Sequence, residues 1–537
     1  MRVALIVLFI SIQFGAFSQV KPSEFVSKAW SPDNGDGTYK NPIIHADYSD
    51  PDICRAGDDF YMTSSSFNSV PALPILHSRD LVNWEIINYA VPQFPDAYYD
   101  TPQHGNGVWA PCFRYHDGLF YIYWGDPDRG IYMVQTEDPA GEWSAPVLVK
   151  KAYGNIDPSP LWDDDGKVYM VHAFAHSRAG VKSLLQVVEL SKDGSQIMDK
   201  GVIVFDGHKN HPTIEGPKFY KRNGYYYIFA PAGGVPTGWQ LILRSKNIYG
   251  PYEEKIVLAQ GDTPINGPHQ GGMVELDNGE SYFVHFQDRG PYGRIVHLQP
   301  VKWIDDWPIM GKDKDGDGTG EPYLVYKKPG LPVQKPHNPV DTDEFNSNTL
   351  GLQWQWNAAP QNGFYSLKSN PGQIKLNAQP YADGAVNLWM SPSLMLQKFP
   401  APEFSNTVKV DVSNLKEGEE SGLIVLGHDY ASIAVKKTDD GYSVQQRVCV
   451  KASDNRPEET NAKVDIGKSE VWLRVEIDQD AKATFSYSKN GKKFEVLGDS
   501  FATREGHWVG AKTGIYTKRS KTTGLCGYAL FDYFRVD

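Results

Sequence analysis

Residues 215–231 read EGPKFYKRNGYYYIFAP. A carboxylate opens the stretch, a short apolar segment follows, Asn223-Gly224 interrupts it, and an aromatic run resumes. Asx-Gly between alternating apolar residues is a strong hairpin signal, because both turn positions need positive φ. The same grammar recurs four more times: DPDICRAGDDFYMTSSS from Asp50, WAPCFRYHDGLFYIYWG from Trp109, DPSPLWDDDGKVYMVHA from Asp157 and HQGGMVELDNGESYFVHF from His269. The opening residues Asp50, Trp109, Asp157, Glu215 and His269 are 59, 48, 58 and 54 residues apart. A tyrosine follows each by 11 to 13 positions: Tyr61, Tyr121, Tyr169, Tyr226 and Tyr282. A hairpin repeated five times, with about 25–30 residues per unit left for two more strands, predicts a five-bladed β-propeller of four-stranded blades.

Composition agrees with an all-β chain. The 30 Tyr, 24 Phe and 14 Trp, beside 50 Gly and 37 Pro, favour strands and turns over helices. At 537 residues the chain exceeds one ordinary core. Its net charge of −12 argues against a nucleic-acid partner, which needs a basic face.

In a propeller the first strand of each blade lines the central axis, so residues at one register of that strand converge on one mouth. The five opening residues then bring three carboxylates, an indole and an imidazole together. Taken singly, Asp50-Pro51 and Asp157-Pro158 read as turn starts. As a set at one register they read as a site, because crowded carboxylates repel one another and shift their ionisation. Hydrolysis of a glycoside needs one acid to protonate the leaving oxygen and one carboxylate on the other face of the sugar. Asp50 and Glu215 lie on well-separated blades and suit base and acid. Asp157, one blade from Glu215, would keep Glu215 protonated, and Trp109 offers a flat wall to a sugar ring.

Residues 41–307 resemble glycoside hydrolase family 43. The motifs are Asn41-Pro42-Ile43, Ser49-Asp50-Pro51-Asp52, Val108-Trp109-Ala110-Pro111, Asn155-Ile156-Asp157-Pro158-Ser159 and Ile214-Glu215-Gly216-Pro217. The resemblance implies Asp50 as general base, Asp157 as modulator and Glu215 as general acid. It implies substrate contacts at His269 and Arg294, with the histidine helping to hold a metal in some members, and an aromatic subsite lining at Phe67. No cofactor is required. The related fructan-hydrolase clan, with a retaining mechanism, typically shows Glu-Cys at the acid position, where this chain has Glu215-Gly216. The expected activity is an inverting exo-glycosidase releasing terminal α-L-arabinofuranosyl or β-D-xylosyl units from hemicellulose; a catalytically silent sugar-binding propeller is the rival.

Met1-Arg2, the apolar run Val3–Phe17 and Ala16-Phe17-Ser18 read as a signal peptide, residues 1–18, for a secreted or periplasmic protein. The propeller is expected over residues 19–326, a Pro-rich linker over 327–340 and a second domain over 341–537. Alternating segments such as 406–413, 421–428, 471–478 and 529–537 predict a β-sandwich there. It resembles the concanavalin A-like domain attached to many β-xylosidases, and His507-Trp508-Val509-Gly510 is its candidate loop for one edge of the pocket. Asp313-Lys314-Asp315-Gly316-Asp317-Gly318 imitates a calcium loop, but position twelve is Leu324 rather than Glu, so it reads as a solvated turn. Glu344 and Asp532 are the candidate ligands for a structural calcium. Cys54, Cys112, Cys449 and Cys526 read as buried free thiols. A monomer with an oligosaccharide or polysaccharide as its only partner, and no membrane span, is the default expectation.

Overall fold

The computed structural model describes residues 25–520 and 524–537; the signal-peptide segment lies outside them. The chain is almost entirely β. Five four-stranded antiparallel sheets follow one another, each made of four consecutive strands. The innermost strands are Asp52–Ala56, Trp109–His116, Asn155–Trp162, Lys218–Arg222 and His269–Glu275, and the outermost end at Val91, Lys151, Asp206, Leu258 and Met310. Each of the five sequence hairpins forms the two inner strands of one blade. No blade is shared between the chain ends. The ring closes where Gly272 of the fifth blade meets the first: a Cβ there would stand 2.2 Å from Asp52 Oδ1 and 2.8 Å from the Ile53 nitrogen. A ladder of Thr38–Lys40 with Val325–Lys327 and a bridge from Ile44 to Val296 fasten the seam.

At or within four residues of the start of each innermost strand stand Asp52, Cys112, Ser159, Lys218 and Gly272, all buried. Arg114 donates to Asp52 at 2.8 Å and to Ser159 at 3.1 Å, and Lys218 donates to the Pro111 carbonyl at 2.9 Å. Asp52 is fully buried, so Arg114→Met strands its charge. We expect a loss of about 3–5 kcal/mol, with Arg114→Met/Asp52→Asn recovering much of it because both ends of the pair are then neutral. Urea midpoints of the two variants check this; a single variant within about 1 kcal/mol of the parent would contradict it.

Val325–Lys327 carries the propeller one residue into the Pro-rich stretch, whose His337 N–H then donates to Asn83 Oδ1 at 3.1 Å. From Gln355 onward two eight-stranded sheets face each other. Alternate residues of their strands, among them Val408, Val410, Leu423, Val425, Ile433, Leu473, Val475 and Phe531, form the core between them, as period-two alternation requires. The sandwich packs directly on the propeller. Val70 bridges to Trp356, Asn68 donates to the Asn357 carbonyl at 2.7 Å, and the His104 ring stacks on Trp389 at 3.7 Å.

Among the four cysteines, three are buried free thiols, but Cys526 is exposed. Glu344 binds Arg535 through both oxygens, at 2.7 and 3.0 Å, and Asp532 faces Lys409 at 3.4 Å. Each of the two carboxylates named as calcium candidates thus faces a cation. The oxygens of Asp313, Asp315 and Asp317 lie within 4.8 Å of one another, and they accept the N–H groups of Gly316, Gly318, Asp317 and Thr319 within the same exposed turn. No helix among the described residues is long and apolar enough to cross a membrane.

Candidate active site

The five opening residues do meet at one mouth, but at two registers rather than one. Within two residues of the start of each innermost strand lies a residue with left-handed backbone: Asp50 (φ 53), Ala110 (φ 29), Asp157 (φ 56), Gly216 (φ 57) and Gln270 (φ 55). Proline follows in the first four. In the second, third and fifth blades the strand pairing slips by one residue there, the mark of a bulge that re-aims a side chain. Asp50 and Asp157 occupy the left-handed position itself, whereas Trp109, Glu215 and His269 precede it. A non-glycine residue is uncommon at such φ, and four of the five blades accept one here. In the fourth blade the position is glycine, and a Cβ there would stand 2.8 Å from Gln270 Cδ.

Asp50 is buried and held by three donors. Ser65 Oγ donates to Oδ2 at 2.6 Å, Ser49 Oγ lies 3.2 Å from the same oxygen, and Arg294 donates to Oδ1 at 2.8 Å. Ser65 also accepts the Ala110 N–H at 2.8 Å, tying the first blade to the second. Asp157 accepts the N–H of Gly216, the residue after Glu215, at 2.7 Å. Glu215 itself makes no side-chain hydrogen bond among the described residues, and its backbone N–H is spent on the Pro231 carbonyl.

Electrostatics separate the two neighbours. Burial raises Glu215 well above the carboxylate range, and the charges of Asp157 and Asp50 raise it further. Burial raises Asp157 as well, but the Gly216 N–H and the Lys218 ammonium oppose that and favour its charged form. Burial and its two carboxyl neighbours thus favour the protonated form of Glu215. A carboxyl raised toward its protonated form, close to an aspartate held by Ser65 and Arg294, is the combination that acid–base hydrolysis needs.

Around this trio the other expected contacts fall as follows. Arg294 is buried, and its NH1 is engaged by Asp50 and Ser49, at 2.8 and 2.9 Å, so it grips Asp50 rather than standing free. Its guanidinium lies 4.9 Å from the Phe286 ring. His269 is buried with Nε2 3.2 Å from the Gly234 carbonyl, and Nδ1 has no partner. Burial pushes it down to about 4, so the ring is neutral at pH 7 and Nδ1 is an acceptor. No set of three ligating side chains forms around it among the described residues. The Trp109 ring is edge-on to Phe67 at 6.4 Å and is fixed by its Nε1–H to the Gly105 carbonyl at 2.8 Å.

The sandwich supplies the remaining wall. A cleft of about 550 Å³ is lined by Val235, Pro236 and Arg294 of the propeller and by Glu505, His507 and Trp508 of the second domain. Trp508 stands edge-on to Trp109 at 6.4 Å and is half exposed. Arg178, fixed by Asp128 and Asn106 at 3.0 and 2.8 Å, lies 5.6 Å over the Trp109 ring. The sequence assigns no role to Asp47, Ser65 or Arg178, and Ser49 enters it only within the Ser49-Asp50-Pro51-Asp52 motif.

A propeller that gathers three carboxyl groups and an arginine, with a concanavalin A-like sandwich packed on it, defines a two-domain glycoside hydrolase. Residues 39–308 match the profile of the glycosyl hydrolases family 43, and residues 342–537 match the beta xylosidase C-terminal concanavalin A-like domain. The chain belongs to glycoside hydrolase family 43. It is 38% identical over 500 residues to a putative beta-xylosidase of Xylanibacter ruminicola, covering 92% of this chain and 89% of that one. It is 35% identical over 419 residues to a non-reducing end alpha-L-arabinofuranosidase of Bacteroides ovatus, covering 73% and 74%. A solved structure described as Bacteroides ovatus xyloglucan PUL GH43B superposes with a TM-score of 0.79 at 29% identity, over 93% of this chain and 99% of that one.

Proposed function

We propose that the protein is a secreted, inverting exo-pentosidase that removes terminal β-D-xylosyl or α-L-arabinofuranosyl units from hemicellulose or its oligosaccharides. Glu215 protonates the leaving oxygen, Asp50 draws the proton from water, and Asp157 keeps the proton on Glu215 while its bond to Gly216 orients that segment. The observation that carries this is the contrast between Glu215, an unbonded carboxyl raised by burial, and Asp50, an acceptor clamped by Ser49, Ser65 and Arg294. Exo action is supported by the Glu505–Trp508 segment of the sandwich, which lines a cleft together with Arg294, the residue that holds Asp50. The relatives' names support a terminal pentose; the β-xylosidase name extends over 92% of the chain and the arabinofuranosidase name over 73%. Secretion rests on the apolar run 3–17 and its cationic start.

Proton NMR of the mature protein acting on plain and arabinose-decorated xylo-oligosaccharides tests this in one series. The expected first signal is a single terminal pentose with inverted anomeric configuration. Whether xylose or arabinose appears first decides which sugar the pocket prefers. A retained anomer would make Asp50 a nucleophile and remove the inverting mechanism. Internal cleavage products would remove exo action.

A further inference from the structure

Asp47 lies buried three residues before Asp50, and its two carboxylate oxygens serve different domains. Oδ1 accepts the backbone N–H of Arg294 at 2.9 Å. Oδ2 accepts the backbone N–H of Gly510, in the sandwich, also at 2.9 Å. The next three residues continue the grip on Arg294. Tyr48 N–H donates to the Arg294 carbonyl at 3.1 Å, and Ser49 and Asp50 take its guanidinium.

The junction has no slack. A Cβ on Gly293 would stand 2.4 Å from Asp47 Cγ, and a Cβ on Gly510 would stand 2.6 Å from the Gly293 nitrogen. Ala511 N–H donates to the Pro291 carbonyl at 2.7 Å, so the sandwich strand runs straight on from this contact. Two residues before Gly510, Trp508 is held at φ 64 with its ring against Trp109. A bulky side chain stays in left-handed backbone only where its surroundings over-determine it. Two lysines of the sandwich stand nearby: burial lowers Lys398 and pushes Lys512 down to about 7, the charge of Asp47 opposes both shifts, and Lys398 donates to Gln355 at 3.0 Å and Lys512 to Ser69 at 2.7 Å.

We propose that Asp47 is a positioning residue, a single carboxylate that seats both the strand carrying Arg294 and the sandwich loop carrying Trp508, so that turnover depends on how the second domain is docked. This rests on Asp50 acting as the base that Arg294 orients. Through Arg294, Asp47 sets the place of Asp50; through Gly510, it sets the far wall of the cleft.

A double-mutant cycle on the full chain tests the proposal, with the xylo-oligosaccharide and the 4-nitrophenyl pentoside that the parent enzyme cleaves as probes. Asp47→Ala is expected to lower kcat about 30-fold with KM changed less than about threefold, and Trp508→Ala to lower kcat/KM on the oligosaccharide about tenfold. In the double variant the Trp508 loss should largely vanish, leaving about 30-fold rather than about 300-fold, because a loop already released gains nothing from its indole. Losses that multiply, or an Asp47→Ala variant with lowered Tm and parental kcat, would overturn the proposal and leave Asp47 a merely structural contact. If Asp47→Ala fails to fold, Asp47→Asn, which keeps one acceptor oxygen, enters the same cycle with the same two readings. Asp50→Asn run alongside separates the assumptions: appreciable turnover by that variant removes the base assignment whichever way the cycle falls.

Discussion

Glu215→Gln is expected to lower turnover of a natural oligosaccharide by about 10³-fold, while a 2,4-dinitrophenyl pentoside loses far less. The difference follows from where the proton goes. A sugar alkoxide is a poor leaving group and must be protonated as the bond breaks, whereas dinitrophenolate leaves without help. Binding should change little, since glutamine keeps the shape of the side chain. The pH profile gives a second, independent reading. Burial and the neighbouring carboxylates raise Glu215, so its proton persists above the ordinary carboxylate range and activity is lost as pH rises through that raised value. In Glu215→Gln the alkaline limb should disappear from whatever rate remains with the activated substrate. Stability should fall with pH over the range from the ordinary carboxylate value up to the raised one. The folded state holds a proton that the unfolded chain has released, so the parent loses stability as pH rises through this window, and the glutamine variant should have the higher Tm at its upper end. Equal losses on both substrates would contradict the acid role.

Asp50→Asn should cost about 10³-fold or more on both substrates alike. Activating water is needed whatever the leaving group, and no other described carboxylate is clamped by three donors beside Glu215. Asparagine also presents an amide N–H₂ to a pocket built from Ser65, Ser49 and Arg294, all of which donate to Asp50. The buried guanidinium then loses its anion, so Tm should fall with activity. Stopped assays on both pentosides, with the released sugar followed by NMR, check this. A variant that hydrolyses the activated substrate at near-parental rate would remove Asp50 from the base role. The two variants thus carry different signatures, leaving-group dependent for Glu215 and leaving-group independent for Asp50.

Much of this was legible in the chain. Asn223-Gly224 and its three Asx-Gly counterparts, with Gly57-Asp58-Asp59 in the first unit, announce their hairpins because a tight turn is a local event, decided by which residues tolerate positive φ. Five such units in series leave few architectures open. Asp50, Trp109, Asp157, Glu215 and His269 could be picked out because a propeller turns sequence repeats into spatial neighbours. The β-sandwich was visible for a similar reason, as alternation in 421–428 or 471–478 is written residue by residue.

The register of those opening residues was less legible. Asp50 and Asp157 sit in left-handed backbone while Glu215 and Trp109 precede it, because the bulge is set by strand pairing rather than by residue type. Glu344 and Asp532 were paired with cations by strand neighbours that composition does not reveal. Arg294 reached Asp50 from the fifth blade, 244 residues away, and Gly510 reached Asp47 across 463.

The sequence by itself determined the local alphabet of this protein: hairpins, alternation, the identity of the three carboxylates and the family they belong to. These depend on backbone preferences and side-chain types that each residue carries wherever it is placed. Only the tertiary structure decided that Arg294 holds Asp50, that the Gly216 N–H goes to Asp157, and that Trp508 meets Trp109. Those depend on burial, on distances of about 3 Å between groups hundreds of residues apart, and on the dielectric around them, which exist only once the ring has closed and the sandwich has docked.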